Sequence, residues 1–223
     1  MKTSMVFLTL LVTALLVGTA SANILTNSDF EAEAALVPNP GDTDPGPPIG
    51  WEYDRYYGYD VDPWLMNVSA IGDGSGGTVG VVFGTWNKES AWDPVIATYP
   101  GTVAPGSYTL EITMASLGGA GGGWLDVQLG WFENPEDPWA NYGEFVREWV
   151  DVSAEYGDGI WGTSTWEFDV PAGSEGDGKN WYLWLRGQSY DDYVIVGEVT
   201  LVPEPATFAL LGLGALVLKR KRS

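Results

Sequence analysis

Apolar and polar positions alternate with period two through much of the middle of the chain. In Ser107 to Ala115, Tyr108, Leu110, Ile112 and Met114 alternate with Thr109, Glu111 and Thr113. That spacing turns the first set inward and the second toward solvent on a half-buried strand. Leu125, Val127, Leu129 and Trp131 alternate with Trp124, Asp126 and Gln128 in the next such segment. Further strands are predicted at Ile24–Phe30, Trp51–Tyr57, Trp64–Ile71, Thr78–Phe83, Val95–Tyr99, Phe145–Val152, Thr163–Val170, Trp181–Arg186 and Tyr193–Leu201. Gly, Pro and Asp clusters separate them, as in Ala104-Pro105-Gly106 and the 36–50 loop, where chain reversals need special backbone angles. No interior stretch holds a 3.6-residue apolar stripe, and no internal repeat is visible. The expected fold is all-β, a sandwich of two antiparallel sheets.

The two ends break this pattern. Lys2, the apolar run Met5 to Gly18 and the small-x-small triplet Ala20-Ser21-Ala22 form a signal peptide, residues 1–22,. Cleavage after Ala22 by signal peptidase makes Asn23 the first residue of the mature chain. At the other end, Val202-Pro203-Glu204-Pro205 precedes an apolar run from Ala206 to Leu218 and the basic tail Lys219-Arg220-Lys221-Arg222. The prolines keep the approach extended. The basic cluster favours the cytoplasmic side of a membrane, so the run is expected as a short transmembrane helix. The remaining domain spans residues 23–201.

The tail resembles the PEP-CTERM sorting signal. The resemblance rests on Val202, Pro203, Glu204, Pro205, Ala206 and Thr207, the Leu- and Gly-rich run and the basic cluster. It implies a cysteine transpeptidase, exosortase, as processing partner, and transient membrane anchoring through the C-terminal helix. It further implies export to the envelope or extracellular matrix of a Gram-negative-type bacterium, with exopolysaccharide and biofilm matrix as the setting. The domain resembles galactose-binding-like, carbohydrate-binding-module-like jelly rolls. The matching stretches are Asn23-Ile24-Leu25-Thr26-Asn27-Ser28-Asp29-Phe30-Glu31, Pro105-Gly106-Ser107-Tyr108-Thr109-Leu110 and Glu198-Val199-Thr200-Leu201. Here Ser28 stands at the family's opening glycine and Gly197 at its closing aspartate.

Composition narrows the chemistry. The chain has no cysteine and no histidine. Disulfides, thiol or imidazole catalysis and His-ligated zinc are therefore excluded. Twelve tryptophans, 11 tyrosines and 30 glycines suit a sheet protein whose core is filled by rings,. All but one of the 30 acidic residues fall between the two end segments, against Arg55, Lys88, Arg147, Lys179 and Arg186. Such a surface repels nucleic acid and anionic lipid.

Two candidate sites follow. Glu31, Asp191, Asp192 and Glu198 come from the first and last strands, adjacent in the jelly roll that the chain resembles. Hard carboxylate oxygens so gathered suit calcium, the alternative being a solvated acidic edge. Tyr182, Trp184 and Arg186 share one face of their strand, opposite Trp181, Leu183 and Leu185. An open second face would offer rings for sugar stacking; a covered one would make them core. Trp139 and Tyr142, in a Pro/Asp-rich segment, are the alternative ring pair. The expected function is a non-catalytic polysaccharide-binding protein. The alternatives are a purely structural surface or matrix protein and a glycan-active enzyme using two carboxylates.

Overall fold

The computed structural model describes residues 22–30, 48–53, 64–67, 79–83, 95–117, 123–135, 140–157, 159–188 and 193–204. Ten strands form two five-stranded antiparallel sheets. They are β1 (Glu52–Tyr53), β2 (Trp64–Asn67), β3 (Val79–Phe83), β4 (Val95–Thr98), β5 (Gly106–Leu117), β6 (Trp124–Phe132), β7 (Tyr142–Asp151), β8 (Gly162–Val170), β9 (Asn180–Gln188) and β10 (Tyr193–Pro203). The first sheet has the order β1-β4-β9-β6-β7 and the second β2-β3-β10-β5-β8. This is the two-sheet sandwich that the alternating pattern and turn residues lead one to expect, with the jelly-roll class that the resemblance implied.

The core lies between the sheets. Leu110, Ile112 and Met114 of β5 and Val194, Val196 and Val199 of β10 face Leu125, Val127 and Leu129 of β6 and Trp181, Leu183 and Leu185 of β9. Rings close one end. The Trp181 ring lies 5.2 Å from Tyr108 and 5.3 Å from Phe145, and Phe168 stacks on Tyr108 at 5.6 Å and on Phe145 at 5.4 Å. Offset and edge contacts at these distances add to the burial of apolar area. Gly187 sets the closeness of the sheets at another point, because a Cβ there would fall 2.0 Å from the Phe83 Cβ.

Two local features depart from the expected elements. Ile24–Phe30 is a run of bends and turns, not a strand. Asn27 and Phe30 adopt positive φ, 49° and 57°, which breaks an extended path. The segment still docks on β10, through Ile24 N–H to the Leu201 carbonyl at 2.9 Å and Val199 N–H to the Ser28 carbonyl at 2.7 Å. After β7 comes one turn of helix, α1 (Val152–Tyr156). Asp151 caps it by accepting from the Ala154 N–H and the Ser153 hydroxyl, both at 3.0 Å, satisfying a donor that a helix start leaves open. Among the described residues no helix is long and apolar enough to cross a membrane; the expected C-terminal span, Ala206–Leu218, lies outside them.

Candidate binding face

The outer face of the first sheet is not a simple solvent face. Strand pairing sets its residues in rows. Trp149 of β7, Asp126 of β6, Arg186 of β9 and Val95 of β4 occupy one row; Arg147, Gln128, Trp184 and Ala97 occupy the next. Gly130 faces Glu144 on one side and Tyr182 on the other. Gly130 cannot carry a side chain, since a Cβ would meet the Gly143 carbonyl at 2.1 Å and the Tyr182 hydroxyl at 2.7 Å. The missing side chain leaves room for the Tyr182 ring.

Asp126 is the centre of this face and is fully buried. Its Oδ2 accepts from Gln128 Nε2 at 2.8 Å and forms an ion pair with Arg186 Nη2 at 3.2 Å. Its Oδ1 is buried and has no hydrogen-bond partner among the described residues. Burial raises the Asp126 pKa above the usual carboxylate value, while Gln128, Arg186 and Arg147 pull it back. A buried carboxylate oxygen without a donor is costly and calls for a specific explanation. Arg186, a quarter exposed, lies over the Trp149 ring at 4.7 Å from its centroid. The indole thus orients the guanidinium that holds the carboxylate.

Two indoles reach solvent beside this centre: Trp149 is 37% exposed and Trp124, further along the same face of β6, 38%. Trp149 also borders a groove of about 650 Å3 between the edge strands β7 and β8, lined in addition by Glu148, Asp151, Ser164 and Trp166. Trp166 Nε1 donates to Glu148 Oε2 across that groove at 2.6 Å. The arrangement offers exposed indole rings and a partly exposed guanidinium within one patch, above a buried carboxylate.

The residues singled out from sequence fall unevenly. Tyr182 and Trp184 do share a face with Arg186, yet they are only 2% and 3% exposed. Their rings, 6.2 Å apart, pack with Val95, Ala97 and Phe132. An open Tyr182–Trp184 platform is therefore corrected to a covered layer, because β4 and Phe132 give both rings apolar neighbours. Burial, with Glu144 and Tyr142 nearby, also pushes the Tyr182 phenol well up. Tyr142 is 43% exposed at the start of β7, opposite Phe132; Trp139 lies outside the described residues. Of the calcium candidates, Glu31, Asp191 and Asp192 also lie outside them. Glu198 sits at an irregularity of β10 where the register with β5 shifts. Burial raises its pKa, and Asp29 and Glu111 raise it further. Among the described residues no three acidic side chains gather to hold a metal.

Asp126, Gln128, Trp124 and Trp149 were not singled out from sequence. The signal that could have found Asp126 is an acid set between the inward Leu125 and Val127, but its partner Arg186 is 60 positions away and only strand register joins them.

Residues 201–223 match the PEP-CTERM protein-sorting motif, which implies processing by exosortase and an exported, transiently membrane-anchored precursor. No curated protein sequence matches the chain. Among solved structures, an apo-form cyclase from Fischerella sp. is similar with a TM-score of 0.63 at 15% identity, covering 84% of this chain and 98% of that one. A putative sugar binding protein from Bacteroides thetaiotaomicron VPI-5482 gives 0.53 at 14% identity, covering 82% and 100%. A CBM22-1 xylan-binding domain from Paenibacillus barcinonensis gives 0.49 at 12% identity, covering 84% and 97%. The likeness to the first two is one of fold, a two-sheet jelly roll.

Proposed function

We propose that this is an exported, non-catalytic protein of the cell envelope or extracellular matrix that binds a neutral polysaccharide on the outer face of its first sheet. The observation that carries this is the partly exposed Arg186 guanidinium, paired with buried Asp126 and lying over the exposed Trp149 ring. A sugar with neighbouring hydroxyls fits those groups. A hydroxyl accepts from the partly exposed Arg186, which buried Asp126 holds in place, and the ring's C–H face stacks on Trp149,. Neutrality follows from charge: the chain carries −20, which disfavours polyanions. Exposed Trp124 and Trp149 favour this over a purely structural coat with all rings buried. The sugar binding protein of similar fold is consistent with it, though a shared fold alone decides no function.

Affinity electrophoresis tests the reading, with gels containing xylan, galactan or alginate. The protein should be retarded by at least one neutral polymer and not by alginate. Asp126→Ala and Trp149→Ala should each remove most of the retardation. Equal mobility in every gel would end the reading.

A further inference from the structure

The groove between β7 and β8 has a chemistry of its own, distinct from that of the outer face. It lies where the two sheets part, since β7 ends the order of the first sheet and β8 that of the second. Its volume of about 650 Å3 falls within the range of sites that hold small molecules. Buried Val150 and half-buried Trp166 line it with apolar surface. The Trp166 ring is fixed in place, because its one N–H donates to Glu148 Oε2 at 2.6 Å. The ring can therefore offer a ligand its face but no donor. A hydrogen bond of 2.6 Å between the Tyr156 hydroxyl of α1 and the Ser164 hydroxyl of β8 ties the helix to the same wall.

The charged side chains that line the groove are all carboxylates: Glu148, Asp151 and Glu155. Among the described residues no Lys or Arg lines it. Ionised carboxylates only accept hydrogen bonds, whereas the hydroxyls of Thr163 and Thr165, both exposed on the β8 wall, can give or take them,. The complementary ligand is rich in donors and carries positive charge. An indole face beside carboxylates attracts an ammonium group through the ring quadrupole and through charge together. Asp151 Oδ1 is engaged by the helix-cap bonds, which makes Glu148 and Glu155 the acids to test.

We propose that this groove is a second binding site, for a saccharide that bears protonated amino groups. The ammonium pairs with Glu148 and Glu155 beside the Trp166 ring, and the sugar hydroxyls meet Thr163 and Thr165. A cationic peptide shares the charge but not the rest. An extended peptide pairs with the backbone of one strand edge, whereas this groove is walled by side chains from two strands and a helix. The outer face differs as well: there the Arg186 guanidinium lies over the Trp149 ring and repels an ammonium. The two sites thus call for different sugars.

The test is a tryptophan-fluorescence titration of the protein with three probes: the hexamer of glucosamine, the hexamer of N-acetylglucosamine, and hexalysine. It is run at about pH 6, where primary amines are protonated. The glucosamine hexamer should bind saturably, and the N-acetylated hexamer and hexalysine at least about tenfold more weakly. The double variant Glu148→Gln/Glu155→Gln, which keeps an acceptor for Trp166, should lose about tenfold for the glucosamine hexamer. Thr165→Lys, at an exposed position, should weaken it similarly and serves if the double variant melts early. Equal binding of the two sugar hexamers would overturn the proposal. So would hexalysine binding as tightly as the glucosamine hexamer, or variants that bind like wild type, since either would show only a general attraction to an acidic surface.

Discussion

Asp126 concentrates most of what is unusual in this domain: a fully buried acid whose second oxygen has no hydrogen-bond partner among the described residues. Its raised pKa gives a direction for pH dependence. A carboxyl whose pKa is higher in the folded than in the unfolded chain binds more protons when folded. Its contribution to stability is full below the ordinary carboxylate value of 3.8 and is lost as pH rises through the folded value. Glu198, also raised, acts with the same sign. Thermal melts from about pH 4 to about pH 8 should therefore show a declining component that Asp126→Asn reduces. An identical pH profile in wild type and variant would contradict the burial argument. Asn23 is the second telling residue. Asn23→Ala removes three hydrogen bonds to backbone groups and should cost about 1–3 kcal/mol. Denaturant unfolding would read that cost, and faster amide exchange at Leu201 would localise it. Little of this was legible beforehand. The opening Asn23–Asn27 carries a family resemblance, but the side-chain bonds of Asn23 depend on contacts across 176 and 178 positions.

At the scale of elements, strands with clean alternation were the legible ones. In β5 the predicted inward set Tyr108, Leu110, Ile112 and Met114 is buried and Thr109, Glu111 and Thr113 are not. Leu110→Ala should therefore cost about 2–5 kcal/mol, measured by chemical denaturation. Strand β6 shows where alternation loses its meaning. It is buried on both faces from Leu125 to Phe132, so its polar members Asp126 and Gln128 belong to a covered layer. A period-two pattern tells which residues oppose each other, but not what lies over the second face. The Ile24–Phe30 segment failed as a strand for a local reason, the positive φ of Asn27 and Phe30, which neither residue type announces. Gly187 offers a separate test of sheet packing. Gly187→Ala forces a Cβ to within 2.0 Å of the Phe83 Cβ and should cost roughly 1–3 kcal/mol. In a domain of this size that is a fall in melting midpoint of roughly 2–12 °C, checked by calorimetry.

For the whole molecule, the features that need no three-dimensional information were the readable ones. The terminal signals, the lack of His and Cys, the acidic excess and the ring-rich, turn-rich middle pointed to an exported two-sheet sandwich. The binding face was not readable, because Trp149, Asp126 and Arg186 come from three strands and are joined only by register. The central claim is that Trp149 and Arg186, the latter held by buried Asp126, bind a neutral sugar at the outer face of the first sheet. Isothermal titration of wild-type protein with the soluble oligosaccharide of whichever polymer retards it, beside Asp126→Asn and Trp149→Ala, tests this most directly. Saturable binding by the wild type, weakened at least about tenfold in each variant (~1.4 kcal/mol), is the predicted result. Equal affinity in all three proteins would contradict it.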